Sequence, residues 1–272
     1  MATILGTLQS TLTNFKYLRS LWKNNTEEER LLGVSLTGIL DCKFLRDAKP
    51  EVLKRLRGVA IEENKKWAKK LGIPASTAIT TVKPSGTVSQ LVNSSSGIHG
   101  RYASHYIRTV RQDVKDPLTT FLIDREVPNE PCALNPEQTV IFSFPIASPK
   151  KAVIADDLSA IEQLETWLKF KQNWAEHSVS VTVYVKDDEW LAVGSWVYDR
   201  FDQLTGVSFL PYSDHTYQQA PYQPVSEKEY EAAYKAFPSQ INFEDLIQYE
   251  KEDNTEGSKT LACVGDKCEI SF

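Results

Sequence analysis

Two stretches of this sequence carry residue types that could do chemistry. The first is LACVGDKCEI near the C-terminus, which holds Cys263 and Cys268 with four residues between them. Chain ends usually fray, so these cysteines have no core around them and can be reached from outside. A reachable pair suits thiol–disulfide exchange, in which a thiolate attacks a disulfide sulfur in line. A zinc site needs about four ligands; no histidine lies near the pair, and Cys42 and Cys132 sit on other segments. The alternative is a pair of incidental tail cysteines. The second stretch is KPSGTVS, residues 83–89. A strand that turns into a helix here exposes the free amides of the helix's first turn, and these favour an anion. Gly86 lets backbone approach closely, while the hydroxyls of Ser85, Thr87 and Ser89 can bond phosphate oxygens. The Gly-Lys-Ser/Thr ending of a Walker loop is missing. The alternative is an ordinary strand-to-helix turn in which Ser and Thr merely cap.

These residues need elements to hold them. The opening stretch has Ile4, Leu5, Leu8, Leu12, Phe15 and Leu18 at helical intervals. Thr26 to Glu29 has the capping-box pattern and predicts the start of a second segment, ERLLGVSLTGILD, whose Gly33 and Gly38 weaken a purely helical reading. A long helix is expected from about Pro50 to Leu71, stopped by Gly72 and Pro74. STAITTV (residues 76–82) reads as a strand leading into KPSGT, with a short helix after it; TVIFSFPI (139–146) and SVSVTVYV (178–185) read as further strands. An amphipathic helix over 157–177 and a capped helix from Ser226 complete the pattern, and residues 250–262 read as a flexible linker. Helices and strands alternate, so the class is α/β. The strands are few for the length, as in a sheet completed from elsewhere.

Composition narrows the function classes. With 41% apolar and 25% charged residues, the 272-residue chain is of soluble globular type, one large domain or two small ones. A net charge of −5 argues against binding nucleic acid through a broad basic face. No apolar run has membrane-span length, the N-terminus lacks a signal-peptide layout, and four cysteines cannot scaffold the fold. The cytoplasm is the expected compartment. His99, His105, His177 and His215 lack the paired helical spacing of a metalloprotease and are expected to be structural or surface residues. Arg101, Arg108 and Arg111 are each expected to be surface charge, and the aromatic-rich residues 206–223 to pack a loop.

Taken in order, TTVKPSGTVSQLVNSSSGIHGRYASHYIRTVR, FSFPIASP, NWAEHSVSVTVYVKDDEW, GVSFLPYSDHTYQQAPYQ and LACVGDKCEI resemble the C-terminal part of class II ribonucleotide reductases. These are the adenosylcobalamin-dependent enzymes, and the likeness is strongest to the single-chain ribonucleoside-triphosphate type. ATILGTLQSTLTNFKYLR and LLGVSLTGILD extend it to the start of the chain. The resemblance implies that residues 1–249 form the C-terminal part of a ten-stranded α/β barrel and that 250–272 form a flexible tail. It implies that Pro84, Ser85, Gly86, Thr87, Val88 and Ser89 hold the phosphates of a ribonucleoside triphosphate. It implies that Cys263 and Cys268 shuttle electrons from a thioredoxin-like donor to an active-site disulfide during deoxyribonucleotide synthesis. Neither Asp41-Cys42-Lys43 nor Pro131-Cys132-Ala133 resembles the family's radical-cysteine setting, Cys-x-Glu. The radical cysteine and most adenosylcobalamin contacts are therefore expected in an N-terminal half outside this sequence. A split subunit is the preferred reading; an inactive fragment serving as a nucleotide-binding or thiol-redox module is the alternative.

Overall fold

Pro50 in the first turn and Gly72 in the left-handed conformation (φ 68°) bracket a helix of 22 residues, as the sequence predicts. In the computed structural model, residues 1–212 and 217–250 are described, together with the backbone pairing of 263–264 with 267–268. Of the linker expected over 250–262, residues 251–262 lie outside the described residues. In chain order the elements are α1 (Ala2–Gln9), α2 (Ser20–Glu29), β1 (Val34–Ser35), α3 (Lys43–Arg46), α4 (Pro50–Leu71), β2 (Thr80–Thr81), α5 (Val88–Leu91), β3 (His105–Asp113), α6 (Pro117–Asp124), β4 (Asn129–Pro131), β5 (Thr139–Ala147), α7 (Ala160–Asn173), β6 (Val181–Val185), α8 (Trp190–Asp199), β7 (Val207–Pro211), β8 (Tyr222–Pro224), α9 (Glu227–Ala236), β9 (Cys263–Val264) and β10 (Lys267–Cys268).

The chain divides into two compact units, residues 1–103 with 149–214, and 104–148 with 215–272. In the first, β1 pairs parallel with β2, and β6 pairs parallel with β7. An isolated parallel bridge, Val82 to Val179, joins the two pairs. Parallel strands with helical crossovers are usually buried on both faces, but β6 buries one: Val181, Val183 and Val185 are buried, while Thr182 is half-buried and Tyr184 exposed. Leu164, Trp167 and Phe170 of α7 pack with Val183 and Val185 of β6 and Leu53 of α4, all fully buried. Each such side chain contributes roughly 1.5–3 kcal/mol by burial. The two buried indoles also donate hydrogen bonds, Trp167 Nε1 to Val179 O and Trp174 Nε1 to Thr81 O, both at 2.8 Å. The second unit is an antiparallel sheet in the order β4–β5–β3–β8. Phe121, Leu122, Val127 and Phe142 form its core.

Several local expectations need correction. The first helix stops at Gln9, because Ser10 and Thr11 turn their hydroxyls back onto Thr7 O (2.7 Å) and Leu8 O (2.8 Å) and compete with the helical ladder. Thr26 starts nothing: it lies inside α2, bonded to Trp22 O at 2.8 Å. The segment after it forms no helix but the short strand β1 and a turn. The helix after KPSGT is a single turn, and the helix expected over 157–177 spans Ala160–Asn173.

Candidate functional site

The loop over residues 83–89 leaves the end of β2 and enters α5. Its base is fixed to neighbouring strands. Lys83 N–H donates to Ser35 Oγ (3.0 Å), and Lys83 Nζ donates to the hydroxyls of Ser178 (3.0 Å) and Ser180 (2.9 Å). Above the base, Ser85 Oγ accepts from Ser89 N–H at 2.9 Å, and the buried Ser89 hydroxyl donates to Ser85 O. Two of the three hydroxyls singled out in the sequence are thus engaged within the loop. The third, on Thr87, sits at the N-cap of α5 without capping it. Gly86, Thr87 and Val88 are exposed, and their amides donate to no acceptor among the described residues. A Cβ on Gly86 would meet nothing within 4 Å, so the space beside this position is open. This half of the site can cradle an anion with backbone N–H groups.

A second loop, residues 93–101, backs the first. Ser85 N–H donates to Ser96 Oγ (2.7 Å), and Ser94 N–H donates to Ser89 O (2.8 Å). Gly97 adopts φ 55°, and a Cβ there would lie 2.8 Å from Lys83 O, so only glycine permits the approach of the two loops. The backing loop is itself held by a buried ion pair. Arg101 is 4% exposed and meets Asp41 Oδ2 through Nε (2.9 Å) and Nη2 (2.8 Å). The expected surface role of Arg101 is therefore wrong: its guanidinium also bonds Asn93 Oδ1 (3.1 Å) and Asn93 O (2.6 Å). Arg108 and Arg111 likewise bond backbone carbonyls, of Pro221 and Gln219. His99 is structural, as expected. Its Nε2 accepts from Thr182 N–H, so its Nδ1 carries the proton donated to Ser96 O, both at 3.0 Å. Burial holds its pKa below the usual 6.5.

The sequence reasoning missed Asp41, Asn93 and Ser96 as supports of the loop. The run Ser94-Ser95-Ser96-Gly97 was the available sign, since short polar side chains beside a glycine favour backbone-bonded turns. In the tail, Cys263 lies opposite Cys268 in the β9–β10 register. Cross-strand neighbours stand about 4.5–5.5 Å apart at Cα, inside the range of about 4.4–6.8 Å that a disulfide accepts. Cys42 is exposed and Cys132 buried. Among the described residues no cluster of His, Cys, Asp or Glu could hold a metal ion, and no helix is long and apolar enough to cross a membrane.

The fold is that of part of a class II ribonucleotide reductase: a crystal structure of a B12-dependent enzyme of this class matches with a TM-score of 0.75 at 24% identity, over 94% of this chain and 40% of that one. By sequence the chain is homologous to adenosylcobalamin-dependent ribonucleoside-triphosphate reductases. It is 29% identical over 200 residues to the reductase of Euglena gracilis, covering 73% of this chain and 27% of that protein. It is 31% identical over 191 residues to the reductase of Lactobacillus gasseri, covering 68% of this chain and 26% of that protein. The aligned part of the chain thus spans about a quarter of the length of these relatives. No family model matches.

Proposed function

We propose that this chain is the C-terminal portion of an adenosylcobalamin-dependent ribonucleoside-triphosphate reductase, contributing the substrate-phosphate loop and the tail dithiol. The observation that carries the reading is the loop itself: three amides at exposed Gly86, Thr87 and Val88, without an acceptor among the described residues, on a chain homologous to such reductases. A triphosphate is multiply charged, and backbone N–H groups bind it without a counter-charge that must be desolvated. The Thr87 hydroxyl adds a fourth donor, and Lys83, bonded to Ser178 and Ser180, puts a cation at the base of the loop.

The dithiol serves the redox half. Reducing a ribonucleotide oxidises two thiols of the reductase to a disulfide. One tail thiolate attacks it to form a mixed disulfide; the second tail thiol resolves that bond, and the tail departs as the Cys263–Cys268 disulfide. Both electrons then come from a thioredoxin-like dithiol. Adenosylcobalamin is the cofactor named for these relatives. Its binding, and the radical cysteine, belong to an N-terminal half that completes the enzyme.

Reconstitution tests the reading. The chain is combined with the N-terminal half of a similar reductase, and cobalamin-dependent reduction of a ribonucleoside triphosphate is assayed. Activity should require both pieces, and Cys263→Ser with Cys268→Ser should abolish turnover with thioredoxin while sparing it with a small dithiol. A folded pair that binds but never turns over would leave a nucleotide-binding or redox module.

A further inference from the structure

The loop over 83–89 does not hold its shape alone. Its amides are aimed by residues 93–97, through Ser96 Oγ on Ser85 N–H and Ser89 O on Ser94 N–H. Residues 93–97 are held in turn from two sides: Thr37, Gly38 and Ile39 bond Ser95 and Gly97, and a buried ion pair holds Asn93 and Ser95. Asp41 Oδ2 accepts from Ser95 N–H at 2.7 Å as well as from Arg101. Arg101 spans from Asp41 to both oxygens of Asn93, a residue strained at φ 47° where α5 ends. Apart from Ser89 in the one-turn α5 and Arg101 in an isolated bridge to Ile154, the residues so joined lie in turns and loops.

We propose that Asp41 and Arg101 are positioning residues for the loop over 83–89: a buried latch that sets the backing loop, which sets the direction of the anion-binding amides. The binding consequence rests on the phosphate reading of the loop; the latch itself does not. Arginine is required because its planar fork reaches the carboxylate and Asn93 together, which a lysine ammonium on one stem cannot do. Aspartate is required for its charge. Asp41→Asn keeps an acceptor for Ser95 N–H and puts an amide where Oδ1, buried and without a partner among the described residues, now lies.

Two readouts on the full chain test this. Residue-resolved amide hydrogen exchange compares wild type with Arg101→Lys and Asp41→Asn. The amides of Ser85, Ser89 and Ser94 should exchange about tenfold faster in both variants, the loss expected for roughly 1.4 kcal/mol of local bonding. The amides of α7 should not change. Ser96→Ala removes only the last bond of the relay and should speed Ser85 alone; it serves if the buried variants fail to fold. Unchanged exchange over 85–94, or an Arg101→Lys chain equal to wild type, overturns the latch. Calorimetric titration with inorganic tripolyphosphate reads the consequence. Wild type should bind, and Arg101→Lys should bind about tenfold more weakly at unchanged stoichiometry; equal affinity overturns the positioning role. If wild type binds no tripolyphosphate, the phosphate reading fails, while the exchange result still decides the latch.

Discussion

Asp41 and Arg101 show what a single sequence conceals. Arginine is mostly exposed in proteins, so surface charge is the natural expectation for Arg101. Its partner lies 60 residues away, and no local pattern couples the two. Removing one partner of a buried pair costs about 3–5 kcal/mol, because the other charge is left uncompensated. Asp41→Ala should therefore lower the urea midpoint by that equivalent, and a loss below about 1 kcal/mol would mean that Arg101 finds water. His99 gives a second expectation. Burial lowers its folded pKa beneath 6.5, so its contribution is complete above about pH 6.5. It is lost as the pH falls below that value, because the unfolded chain takes up the proton first. Urea unfolding followed from pH 8 to pH 5 should show this decline, and His99→Gln should flatten it. The turn over 83–89 was legible because proline, glycine and hydroxyl residues announce a turn locally. The ring of supports behind it was not, because Thr37, Asp41, Ser96 and Arg101 come together only through long-range folding.

The capping boxes mark where local rules held and where they failed. Ser159 and Ser226 each accept an N3 amide and donate their own N–H to the carboxylate of that N3 glutamate, and each starts its helix. Thr26 to Glu29 has the same spelling, but the chain is already helical from Ser20, so the pattern falls in the last turn of α2. The two cases predict different costs. Ser159→Ala should destabilise by about 1 kcal/mol, whereas Thr26→Ala should change stability by no more than a few tenths, alanine being the better helix former. Thermal unfolding of the two variants side by side checks this. Long periodic elements such as α4 were readable from spacing alone. The antiparallel strand β3 was not, since His105–Asp113 has no clean alternation of buried and exposed residues and its arginines suggested a basic surface. The short parallel strand β2 falls inside the stretch read as a strand over 76–82, whereas its partner β1 lies in a segment whose own sequence did not announce it.

Large apolar side chains are exposed along the first 31 residues, among them Leu5, Leu12, Leu21, Trp22 and Leu31. Surfaces of that kind mark contacts or aggregation liabilities, so sedimentation velocity of the isolated chain should show concentration-dependent association. Replacing Leu21 and Trp22 with polar residues should reduce it; an unchanged monomer across concentrations would falsify the expectation. Thiol counting needs equal care. Cys42 is exposed and should react at once, whereas Cys132, 3% exposed, should react only on unfolding. A Cys42→Ser background therefore isolates the tail pair for redox titration. The division into two units has one more consequence, and it is optical. The six tryptophans, Trp22, Trp67, Trp167, Trp174, Trp190 and Trp196, all fall in the first unit and none in the second. Fluorescence excited in tryptophan alone thus watches one body while the circular dichroism of the backbone watches both. A gap between their denaturation midpoints would measure the difference in stability of the two units without a single substitution.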